Sequence, residues 1–104
     1  MMVLGDQSAF QTAINGSDKK RVVAWLTASW CGPCKSITPF IEKIANGDSK
    51  VDFIKIDIDE HPSIAESLQV ESVPTFVMFK NKEVVGRIVG ASTAKVEEMV
   101  RGNE

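Results

Sequence analysis

The chain has 104 residues, of which 43% are hydrophobic and 25% charged, and a formal net charge of −2. These values fit one soluble globular domain, residues 1–104, with no room for a second core. The slight acidity disfavours nucleic acid or an anionic membrane as partner, and no apolar run approaches the roughly 20 residues that span a bilayer. The first basic residue is Lys19, and Met1 to Asp6 carries neither the basic region nor the apolar stretch of a secretory signal. The expected compartment is therefore the cytoplasm, with an imported and trimmed organellar form as the alternative.

A weak strand opens the chain. Residues 6–16 are expected to form a helix capped by Asp6, with Phe10, Ala13 and Ile14 on one face and Gly16-Ser17-Asp18 at its end. Val22-Val23-Ala24-Trp25-Leu26 is a near-continuous apolar run, as in a central strand covered on both faces. It leads into Trp30-Cys31-Gly32-Pro33-Cys34 and then a helix from about Gly32 to Ala45. There Ile37, Phe40, Ile41, Ile44 and Ala45 share a face, and Pro39 should kink the helix by removing the N–H that would bond the Lys35 carbonyl.

Asn46-Gly47-Asp48 should break the chain before a strand over 51–58, where Ile54, Ile56 and Ile58 alternate with Lys55, Asp57 and Asp59. Pro62 opens a short helix carrying Ile64, Ala65 and Leu68. Thr75 to Phe79 reads as a buried strand, Asn81-Lys82 as a tight turn and Glu83 to Val89 as the antiparallel partner. A last helix, from about Ser92 to Val100, turns Val96, Met99 and Val100 inward. Alternating strands and helices followed by a hairpin imply an α/β fold: a mixed sheet of about five strands flanked by about four helices. In such sheets chemistry gathers at the carboxyl ends of the parallel strands, where the Cys31 turn falls.

Cys31 and Cys34 are the only cysteines. Residues at i and i+3 lie on one helix face, so their sulfurs can meet. Gly32 permits close backbone approach, and Pro33 is tolerated where first-turn N–H groups lack intrahelical partners. Those free N–H groups and the helix dipole favour a thiolate on Cys31, expected to be accessible, while Cys34 waits shielded a turn deeper. As a structural staple the pair would contribute only about 2 kcal/mol, because the loop it closes is so short. A closed zinc site takes four ligands, whereas the chain offers two Cys and His61; a cluster bridged between two chains is a rarer variant. His61, beside Pro62, reads as a loop or helix-start residue rather than a catalytic partner. A reversible dithiol is the reading that remains.

Trp30-Cys31-Gly32-Pro33-Cys34-Lys35, Pro39, Val73-Pro74-Thr75-Phe76 and Val89-Gly90-Ala91, in that order, resemble the thioredoxin family across essentially the whole chain. The resemblance implies the thioredoxin fold and a protein-disulfide reductase, an electron carrier that reduces client disulfides through Cys31 and Cys34. It implies no bound cofactor and no metal, with NADPH supplying electrons through a separate thioredoxin reductase. Clients would include peroxiredoxins or reductases that need dithiol recycling. It further implies a cis bond between Val73 and Pro74, with Pro74 beside the sulfurs and the Val73 backbone pairing with an extended client segment. The docking surface would comprise Trp30, Gly32, Pro33, Ile58, Val73, Pro74, Gly90 and Ala91, and Lys55 would reach toward the cysteines. A binding module that stabilises a partner, with incidental redox activity, is the alternative.

One position departs from the family. Many thioredoxins place a buried aspartate six residues before the first cysteine, where it helps move the second cysteine's proton; here that residue is Trp25, whose indole N–H only donates. Trp25 either meets smaller neighbours or leans toward the pocket, and Thr27 carries a hydroxyl that could hold a water. The resolving step is expected to proceed without a buried carboxylate.

Overall fold

In the computed structural model, residues 2–3, 7–47 and 50–102 are described. The elements in chain order are β1 (Met2–Val3), α1 (Gln7–Asn15), a 3-10 turn (Gly16–Asp18), β2 (Arg21–Thr27) and α2 (Gly32–Gly47). There follow β3 (Val51–Asp57), α3 (Pro62–Ser67), β4 (Thr75–Lys80), β5 (Glu83–Val89) and α4 (Thr93–Gly102). Asp6, the expected cap of α1, and Asp48, in the expected break, lie outside the described residues. Helix α2 passes through Pro39 and continues to Gly47, past the expected end at Ala45.

The strand order is β1-β3-β2-β4-β5, with β1 parallel to β3, β3 parallel to β2, and β4 and β5 added antiparallel. Four strands of six or seven residues carry this mixed sheet, and the two-residue β1 extends one edge. Every residue of β2 is buried, as its unbroken apolar run requires of a strand with helices on both faces.

Alternation along β2 divides the core. Val22, Ala24 and Leu26 pack with Phe10 and Ile14 of α1 and Ile64 of α3. Val23 and Trp25 face the other way, toward Ile37 and Ile41 of α2 and Val96 and Val100 of α4. Partners in a parallel ladder point to the same face, so the pairs Trp25–Lys55 and Thr27–Asp57 place these four side chains together on the α2 face. That placement builds the polar end of the site.

Two ties fix the sheet's ends. Buried Arg21 donates from Nη1 to the Val100 carbonyl at 2.6 Å, joining the start of β2 to the last turns of α4. Buried Ser17 accepts the Lys82 N–H on Oγ at 2.7 Å and the Asn81 N–H on its carbonyl at 2.8 Å. It thereby holds the β4–β5 turn, where Asn81 and Lys82 have φ of 54° and 68°, the left-handed pair that a two-residue hairpin turn needs. Beyond this turn the register slips: Phe79 pairs with Val84 and Met78 with Gly86, leaving Val85 as a bulge. Val84, Val85 and Val89 on this edge strand are exposed.

Candidate active site

The chain leaves β2 at Thr27, turns, and enters α2 at Gly32. Cys31 N–H donates to the Ala28 carbonyl at 3.1 Å, closing the turn, and the Cys31 carbonyl accepts from Lys35 N–H at 3.2 Å. Cys31 is thus the cap residue of α2, and its side chain caps as well: Cys34 N–H donates to Cys31 Sγ at 3.1 Å. This bond links cap to third helical residue, with sulfur where serine or aspartate would offer oxygen. Pro33 occupies a position whose N–H the helix does not use.

The two sulfurs are bonded to each other, with the Cα atoms 5.3 Å apart. Once the pair is reduced, the Cys34 N–H and the dipole of α2 favour negative charge on Cys31. Exposure does not separate the two residues as expected, since Cys31 is 3% and Cys34 2% exposed. Both cysteines form one buried cluster with Ala28, and Ile58 and Val73 pack against it. What distinguishes Cys31 is the cap hydrogen bond.

The residues assigned from the motifs gather around this pair. Trp30 is 66% exposed and donates from Nε1 to Asp59 Oδ2 at 2.8 Å, which fixes its indole on the surface. Gly32 and Pro33 are exposed, and Ile58 and Val73 are half-buried against the cysteines. The Val73–Pro74 bond is cis, and buried Pro74 accepts the Gly90 N–H at 2.9 Å. Gly90 has φ of 107°, a conformation that glycine adopts without strain, so a side chain here would cost backbone energy. Ala91 is exposed and adjoins the site through Gly90. His61 stands before Pro62 at the start of α3, with its backbone N–H on the Asp57 carbonyl at 3.0 Å.

Trp25 is fully buried and stacks on Phe76, with centroids 6.2 Å apart and planes at 12°. Its Nε1 has no hydrogen-bond partner among the described residues. Lys55 lies over the Trp25 ring with Nζ 5.4 Å from the centroid, a cation–π contact. The indole therefore lies in the α2-side core, and the lysine above it shares a cavity wall with Cys34. A cavity of about 370 Å³ opens there, lined by Thr27, Cys34, Lys35, Thr38, Lys55 and Asp57 among others.

Motif reasoning missed Asp57, which alternation places on a polar strand face with Lys55. What brings it to the site is its pairing with Thr27, which sets it half-buried beside Cys34, Lys35 and Thr38 of α2. Among the described residues, no three His, Cys, Asp or Glu side chains gather as metal ligands would.

A thioredoxin family model matches residues 1–101. Thioredoxin of Echinococcus granulosus is 40% identical over 98 residues, covering 94% of this chain and 90% of that one. The X-ray structure of Fasciola hepatica thioredoxin matches with a TM-score of 0.95 at 33% identity, covering 100% of both chains. A third likeness, at TM-score 0.89 and 31% identity, covers 98% of this chain and 94% of the other. It comes from a structural study of thiol resolution in yeast mitochondrial 1-Cys peroxiredoxin via glutathione/thioredoxin systems. Matches that span nearly the whole chain in sequence and in backbone, together with the bonded Cys31–Cys34 pair at a helix start, establish that this chain belongs to the thioredoxin family and is a thiol–disulfide oxidoreductase.

Proposed function

We propose that Cys31 is the attacking sulfur and Cys34 the resolving one. The Cys31 thiolate attacks a client disulfide and forms a mixed disulfide; Cys34 then attacks Cys31 Sγ, releasing the reduced client and closing the Cys31–Cys34 bond. The observation that carries this assignment is the Cys34 N–H donated to Cys31 Sγ. Gly32 and Pro33 shape the turn, and Lys55 and Pro74 support the pair. Trp30, Ile58, Val73, Gly90 and Ala91 form the client-docking rim, with the Val73 backbone taking an extended client segment as an added strand.

Residues 1–104 act as one unit, without a bound cofactor. Electrons arrive from NADPH through a separate thioredoxin reductase, and the likeness to a chain studied with a peroxiredoxin supports that class of client. The compartment is the cytoplasm, with a mitochondrial form as the second possibility. Among the described residues no helix is long and apolar enough to cross a membrane.

The test is NADPH oxidation in the presence of thioredoxin reductase and a disulfide-bonded protein such as insulin. The unmodified chain should support turnover, and Trp30→Ala should raise KM for the protein disulfide about 10-fold with kcat little changed, because an exposed aromatic anchor is lost. Absence of turnover, or an unchanged KM, would contradict this reading.

A further inference from the structure

We propose that Asp57 accepts the Cys34 proton in the resolving step, through water in the cavity that both side chains line. This rests on the assignment of Cys34 as the resolving sulfur. The chemistry requires an acceptor. When Cys34 Sγ attacks Cys31 Sγ of the mixed disulfide, the Cys34–Cys31 bond forms and the Cys31–client bond breaks. The client sulfur departs with that electron pair, and the Cys34 thiol must lose its proton. Trp25 cannot take it, since an indole N–H only donates. The resolving step, expected from sequence to lack a buried carboxylate, is instead served by a half-buried one on β3.

The groups that line the cavity with Cys34 can be named. Helix α2 contributes Lys35 and Thr38, β2 contributes Thr27, and β3 contributes Lys55 and Asp57. The two lysines are cations that stabilise a nearby thiolate but hold no free acceptor pair while charged. Thr27 and Thr38 can hold and orient water. Asp57 is the only carboxylate among the described residues that line this cavity.

Its position is fixed from two sides. The register with Thr27 aims it under α2, and its Oδ1 accepts N–H bonds from Asp59 at 2.8 Å and Glu60 at 3.4 Å. The loop that follows also carries the Asp59 carboxylate, engaged by Trp30, together with Glu60 and His61. Asp57 is half-buried, and the cavity has room for several waters. The proton passes from Cys34 through water to the Asp57 carboxylate and then to solvent, where the departing client thiolate is protonated. Two residues of one strand thus do separate work: Lys55 bears on the charge at Cys34, and Asp57 receives the proton.

The test uses reduced protein and dithionitrobenzoate in stopped flow. Attack by Cys31 releases one coloured thiolate, and attack by Cys34 releases the second. Asp57→Asn keeps Oδ1 for the two N–H bonds but is a poor base. It should slow the second release about 10-fold near neutral pH, a modest share of what general base catalysis supplies, and converge on the unmodified rate at high pH, where hydroxide takes the proton. Asp57→Glu should recover part of the neutral-pH rate. Rate constants of the folded fraction are compared, so partial unfolding lowers amplitudes only. A second release equally fast in Asp57→Asn, slowed by one factor at every pH, or left unrestored by Asp57→Glu would overturn the inference alone. No second release in the unmodified protein would overturn the Cys31–Cys34 exchange itself, and the inference with it.

Discussion

Cys34→Ser should accumulate clients covalently on Cys31 and lower steady-state disulfide reduction by at least about 10³-fold. Cys31 keeps its place at the start of α2 and still accepts the N–H of residue 34, so the first attack proceeds. The serine hydroxyl, with its high pKa, does not displace the client sulfur, and the mixed disulfide persists. Non-reducing electrophoresis should show adducts that disappear with dithiothreitol, and mass spectrometry should place them on Cys31. Cys31→Ser should trap nothing. Adducts on Cys34 of Cys31→Ser, with none on Cys31 of Cys34→Ser, would reverse the roles.

The second large effect is on stability. Trp25 is fully buried, stacked on Phe76 and covered by Lys55, so Trp25→Ala should lower unfolding free energy by about 3–5 kcal/mol through lost transfer energy and an unfilled cavity. Trp25→Phe keeps an aromatic face for both neighbours and removes the unpartnered Nε1 donor, so it should cost about 1–2 kcal/mol. Urea unfolding checks both, with the denaturant slope unchanged. A loss below about 1 kcal/mol for Trp25→Ala would mean that the indole is not the packing element this core requires.

The sequence showed faces more clearly than it showed what covers them. Val22 to Leu26 read as a central strand, and Trp30 to Lys35 with the Val73-Pro74 pair was specific enough for the resemblance to imply the fold and a cis bond, both observed. Asn81-Lys82 marked the hairpin correctly. The alternation of Lys55 and Asp57 with isoleucines gave the right face of β3. That this face lies under the first turn of α2, and not in water, depends on the register with β2 and the path of the helix, neither of which local sequence carries.

Burial of Cys31 escaped the motif for a similar reason. Its cover comes from Ile58 and Val73, far away in the chain, in addition to nearby Ala28. The dipole argument, by contrast, needed only the local order of residues, and the capping hydrogen bond agrees with it. In β5 the bulge at Val85 places adjacent valines, Val84 and Val85, on the exposed edge, where composition alone would bury them.

Alkylation of the reduced protein with limiting iodoacetamide at neutral pH, mapped by mass spectrometry, probes the thiolate at the helix start most directly. Modification should fall first and predominantly on Cys31, because the Cys34 N–H and the helix dipole hold charge on that sulfur. Equal labelling of both cysteines, or labelling of Cys34 first, would contradict it.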